Sequence, residues 1–69
     1  MIGSVVVNGR QRELTTTTSI AALVAEVSPG AIRSVGVALN GSVVRQDAWA
    51  TTHIAAGDQV EVVAAAQGG

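Results

Sequence analysis

The stretch Gly57-Asp58-Gln59-Val60-Glu61-Val62-Val63-Ala64 runs directly into Ala65-Ala66-Gln67-Gly68-Gly69. Gly57-Asp58 reads as a turn and Gln59 to Ala64 as a strand, with Val60 and Val62 on one face because strand side chains alternate. Valine suits a pleated, packed surface through its branched Cβ. A strand this apolar belongs within a sheet, and the sequence closes on Gly68-Gly69 just after it. Without a Cβ, such a pair threads a narrow channel and takes any φ. From Ala65 the last five residues extend to roughly 17 Å, at about 3.3–3.6 Å per residue. That suits a terminal carboxylate that has to reach another protein's active site.

The rest of the chain supplies what this strand would pack against. Val5-Val6-Val7 followed by Asn8-Gly9 is a strong hairpin signal, since both turn positions need φ > 0. Arg10 to Leu14 is then the returning strand, polar enough for a sheet edge. Thr15 to Thr18 read as its end and a loop. Ser19 is placed as a helix N-cap. Ile20, Leu23, Val24 and Val27 recur at i, i+3, i+4 and i+7, the stripe of one helix face. Ser28-Pro29-Gly30 ends that helix, because proline disfavours helical geometry in the residue before it. Val35, Val37 and Leu39 alternate with Gly36 and Ala38, and a second Asn-Gly, Asn40-Gly41, turns the chain into Val43-Val44. Asp47 to His53 is a connector around Trp49, with one turn of 3₁₀ helix. The order is hairpin, helix, hairpin, strand.

Composition narrows the function. At 69 residues and 48% apolar content, the chain is one small domain with no room for a separate catalytic lobe. It has no Cys, so it can form no disulfide and offers no thiolate; one His, His53, cannot build a zinc site. Twelve Val and twelve Ala supply the bulk of an aliphatic core, with a single Trp and no Phe or Tyr. Trp49 is expected to cap one end of that core. The four Arg are spread along a chain of net charge −1, which does not suit a nucleic-acid surface. The longest apolar run, Ile20 to Ala25, is far short of the ~20 residues of a membrane span. Met1-Ile2-Gly3-Ser4 does not read as a signal peptide, so the expected location is the cytoplasm.

The same residues speak against catalysis by this chain. His53 stands in a polar segment with no nucleophile motif beside it. Glu13, Glu26, Asp47, Asp58 and Glu61 fall on separate elements, with no pair spaced for acid–base chemistry. No phosphate-cradling glycine motif is present, and no metal site is expected.

In its order of elements and its terminal Gly-Gly, the chain resembles the ubiquitin-like β-grasp proteins, and among them the ThiS family of sulfur carriers. The resemblance spans essentially the whole chain. It is carried by Val7-Asn8-Gly9, Ser19-Ile20 with Leu23, and Val37-Ala38-Leu39-Asn40-Gly41. It continues through Val43-Val44-Arg45 with Trp49 and ends in Gly57-Asp58-Gln59-Val60-Glu61-Val62-Val63. Two positions depart from the family's habit: Val44 stands where Pro often precedes the Arg, and Ala66 where a larger apolar residue is common. The resemblance implies an α+β fold, a mixed sheet of about five strands on one short helix, with the first and last strands parallel at its centre. Residues 1–65 would be the β-grasp domain and residues 66–69 a flexible tail.

The resemblance also implies a carrier and not an enzyme. Gly69 would be the site of covalent sulfur attachment, with Ala66, Gln67 and Gly68 leading to it. A ThiF-like enzyme would adenylate the Gly69 carboxylate with ATP and magnesium, neither bound by this chain. A cysteine desulfurase would supply sulfur, and a thiazole synthase (ThiG) would take it into the thiazole ring of thiamine. Sulfur carriers for molybdopterin or cysteine biosynthesis, protein modifiers joined to Lys, and β-grasp binding modules share the same outline. If Val60 and Val62 point inward, alternation turns Val6, Ala38, Val63 and Ala65 outward, and these four are the candidate partner surface.

Overall fold

The structure, a computed structural model, describes residues 3–28 and 35–64, and for Ala64 the backbone only. Strand β1 (Gly3–Val7) pairs antiparallel with β2 (Arg10–Leu14) around the Asn8-Gly9 turn. Strand β3 (Thr18–Ser19) leads into helix α1 (Ile20–Val27). Strands β4 (Val35–Leu39) and β5 (Ser42–Val44) form the second hairpin. A 3₁₀ turn, Gln46–Ala48, begins one residue before the expected connector. Then come β6 (His53–Ile54) and β7 (Gln59–Ala64).

The main sheet has the order β2-β1-β7-β4-β5, so the last strand is the central one. It runs parallel to β1, with Val7 opposite Val60, and antiparallel to β4, with Val37 opposite Val62. Between β1 and β2 the register sets Val5 against Arg12 and Val7 against Arg10. The polar edge expected of Arg10 to Leu14 is present: only Leu14 of that strand is buried. Arg12 reaches from this edge to Glu26 of the helix at 2.6 Å. Both side chains are well exposed, so the pair contributes little to stability.

Helix α1 starts where the Ser19 hydroxyl accepts from the Ala22 N–H at 3.1 Å, and its apolar stripe buries Ile20, Leu23 and Val24. Opposite lie Val5, Val7, Val37, Val60 and Val62, all buried, with Leu39 half-buried against them. Leu14, Trp49 and Ile54 are the other buried apolar residues among those described. Trp49 is 3% exposed, and its indole Nε1–H donates to the Val44 carbonyl at 2.9 Å, so its one polar atom is satisfied. Trp49 is the core cap that the composition suggests.

One pairing is absent from the sequence reading. Thr18 and Ser19, read as loop and cap, pair with Ile54 and His53 in a second, two-stranded sheet. This bridge and the Ile20 N–H bond to the Thr52 carbonyl, 2.8 Å, fasten the connector to the start of the helix. Gly3 is the other close fit: at φ +148° a Cβ there would stand 2.6 Å from the Ala56 Cβ. Its bare backbone lets the turn before β7 pack on β1, where the Gly57 N–H donates to the Ser4 carbonyl at 2.8 Å. Pro29-Gly30, the expected helix stop, lie outside the described residues, as do Met1 and Ile2.

Candidate functional site

Strand β7 is central, paired with β1 as far as Val60 and with β4 as far as Ala64. Both neighbours hold the strand by main-chain bonds. Two asparagines also hold it, Asn40 at its first residue and Asn8 at Val60 and Val62.

Asn40 sits at φ 52° in the second hairpin turn, and its N–H donates to the Gln59 carbonyl at 2.7 Å. Its side-chain Oδ1 accepts the Gln59 N–H at 2.8 Å, while its Nδ2 donates to Asp58 at 3.0 Å. Asp58 uses its other carboxylate oxygen to accept the Ala55 N–H at 2.7 Å, which fixes the turn into β7. Asn8 sits at φ 53° in the first turn. Its N–H donates to the Val60 carbonyl at 2.9 Å, its Oδ1 accepts the Val62 N–H at 2.8 Å, and its Nδ2 donates to the Val62 carbonyl at 3.1 Å. Positive φ is tolerated by asparagine better than by most residues. From sequence both asparagines read as turn residues; their side-chain grip on β7 is a finding of the structure.

On the side of the sheet away from the helix, Val63 is 58% exposed and Val43 82% exposed. With Gly36, Ala38 and Glu61 they line a shallow hollow of about 150 Å³. The register explains the grouping: Gly36 faces Val63, while Ala38 lies between Val43 and Glu61. Of the candidate partner surface, Ala38 and Val63 therefore meet. Val6 lies between Gln11 and Gln59, and the β1–β7 pairing stops at Val60, so Val6 is set apart from Val63. Val43, not named from sequence, joins the patch because β5 lies beside β4. Ala65, Ala66, Gln67, Gly68 and Gly69 lie outside the described residues.

The titratable groups have structural work or stand apart. Glu26 pairs with Arg12 and Asp47 with Arg45, Asp58 organises a turn, and His53 is an exposed residue of the β3–β6 bridge. Among the described residues no three His, Asp or Glu side chains converge to hold a metal ion. No helix there is long and apolar enough to cross a membrane.

A five-stranded mixed sheet grasping one helix, with the last strand at its centre, defines a ubiquitin-like β-grasp domain. The family model of the ThiS family matches residues 5–69. A crystal structure of the thiamine biosynthesis protein ThiS from Geobacter metallireducens is similar, with a TM-score of 0.81 and 26% identity over 96% of this chain and 99% of that one. No curated protein matches the chain. The chain belongs to the ThiS family.

Proposed function

We propose that the chain is a sulfur carrier of thiamine biosynthesis that works through the carboxylate of Gly69. The carboxylate is a poor electrophile. Attack of its oxygen on the α-phosphorus of ATP, in the active site of a ThiF-like enzyme, releases pyrophosphate and leaves an acyl adenylate. A persulfide sulfur, derived from cysteine by a desulfurase, then attacks the acyl carbon and AMP departs. Cleavage of the resulting acyl disulfide by a thiol frees the thiocarboxylate, which donates its sulfur to thiazole synthase. The chain supplies the terminus and a body to recognise; its partners supply ATP, magnesium and catalysis. The observation that carries this reading is the family match, which runs from residue 5 through Gly69.

The exposed hollow around Ala38, Val43 and Val63 is the surface we assign to these partners, because a contiguous apolar patch marks a contact site where isolated apolar residues do not. It lies beside the strand from which the C-terminal segment leaves. Val63→Asp is expected to weaken binding to both the adenylating enzyme and thiazole synthase while barely moving the melting temperature. Val62→Asp is expected to unfold the domain, since it buries an unpaired charge beneath the helix. Titrations and melting curves of the two variants separate the faces. Unchanged affinity for Val63→Asp would move the docking surface elsewhere.

The first chemical step is tested by ATP–pyrophosphate exchange in a ThiF-like enzyme with and without this chain. Exchange that depends on the chain supports the carrier reading, and its absence contradicts it.

A further inference from the structure

We infer that Asn8 is a positioning residue: its side-chain amide fixes Val62 in the second half of β7 and thereby the course of the strand that leads toward the C-terminal Gly69. The inference rests on the carrier reading and adds to it a residue more than 50 positions away in sequence from the strand residue it holds.

The geometry is that of a missing peptide unit. In the β7–β4 pairing, Asn40 and Gln59 are bonded opposite one another, so bonded pairs recur at Glu61 and Val63. Val60 and Val62 therefore turn their N–H and C=O toward β1. Val60 finds its partner there in the Asn8 main chain. For Val62, a continuing parallel ladder would use the Asn8 carbonyl and the N–H of residue 10. The chain instead turns away at Asn8 into the hairpin. The Asn8 side chain stands in for both groups: Oδ1 takes the Val62 N–H and Nδ2 serves the Val62 carbonyl. An amide carries one acceptor and one donor group side by side, as a peptide does. Aspartate at this turn would lack the donor and glycine both groups, while serine has a single oxygen for both.

The consequence falls on the strand end. Beyond Val60, β7 is held from the β1 side, among the described residues, through this amide. Releasing it leaves Glu61 to Ala64 fastened from β4 alone, as at a sheet edge. A terminus that must enter a channel while the neighbouring face docks needs one exit direction. If that direction is populated only part of the time, apparent affinity falls by the same fraction, while turnover of the bound complex does not.

Asn8→Gly keeps the positive φ of the turn and removes both side-chain bonds. Asn40→Gly is the control, because it frees the start of the same strand. In Asn8→Gly the Val62 amide is expected to exchange with solvent roughly four- to a hundredfold faster, since each of the two neutral hydrogen bonds lost is worth roughly two- to tenfold. The KM of the adenylating enzyme for the chain rises severalfold with kcat unchanged. Asn40→Gly lowers the melting temperature comparably and leaves KM where it was. Asn8→Asp retains the acceptor for the Val62 N–H but loses the donor to its carbonyl, and it moves KM in the same direction if the glycine variant is too unstable to assay. An unmoved KM in the Asn8 variants, or an equal rise in Asn40→Gly, overturns the inference. A wild-type chain that supports no pyrophosphate exchange overturns the carrier reading and the inference with it; wild-type exchange with an unmoved KM overturns the inference alone.

Discussion

Deletion of Gly69 is expected to abolish pyrophosphate exchange by the adenylating enzyme while leaving the melting temperature essentially unchanged. The two halves of this result have separate causes. Among the described residues every buried core residue, from Val5 to Val62, precedes the tail, so the deletion removes none of them. The reacting carboxylate, however, moves to Gly68, a shortfall of about 3.3–3.6 Å along the chain. Reacting atoms must approach to roughly 3–3.5 Å, and a misplacement of about 1 Å already costs on the order of a hundredfold in rate. Gly68→Val is expected to act in the same direction more weakly, because a branched side chain restricts the backbone and fills a narrow channel. Normal exchange by the deletion variant would refute a role for the Gly69 carboxylate.

Leu23→Ala is expected to leave the domain largely unfolded. Leu23 is 3% exposed, at the middle of the helix face that meets the sheet. Truncating a buried leucine to alanine costs about 2–5 kcal/mol, the lost transfer energy plus the cavity left behind. A core in a domain this small supplies only ~3–5 kcal/mol, and with no Cys there is no disulfide to add to it. Circular dichroism melting of the variant is the measurement. A transition within a few degrees of the wild type would mean that the helix does not pack on the sheet through this residue.

The elements with strong periodicity were legible in the sequence. Val60 and Val62, Val35 with Val37 and Leu39, and the stripe from Ile20 to Val27 each repeat often enough to fix their type, and Asn-Gly marks both hairpins. The β3–β6 bridge was not legible. It is two residues long on each side, and Thr18-Ser19 against His53-Ile54 offers no alternation to read. Alternation also reveals which face a residue takes but not its register across strands. That is why Val6, outward like Val63, proves to lie beside Gln59, and why Val43 enters the exposed hollow unannounced. The asparagine grip on β7 was hidden for a different reason. The turn conformation already accounts for Asn8 and Asn40 locally, so nothing in the adjacent sequence signals a second role toward a strand formed much later in the chain. The chemistry assigned to Gly69 came from the ending of the sequence and its resemblance, since composition and spacing speak only against catalysis by the chain itself.

The central claim, that Gly69 carries sulfur as a thiocarboxylate, is tested most directly by the intact mass of the protein. The chain is incubated with a ThiF-like enzyme, ATP and magnesium, a cysteine desulfurase and cysteine, then measured whole and after proteolysis. The account predicts a mass increase equal to the replacement of one oxygen by one sulfur, confined to the C-terminal peptide and absent when ATP is omitted. An unchanged mass, or an adduct joining Gly69 to a lysine of another protein in place of the thiocarboxylate, would contradict it.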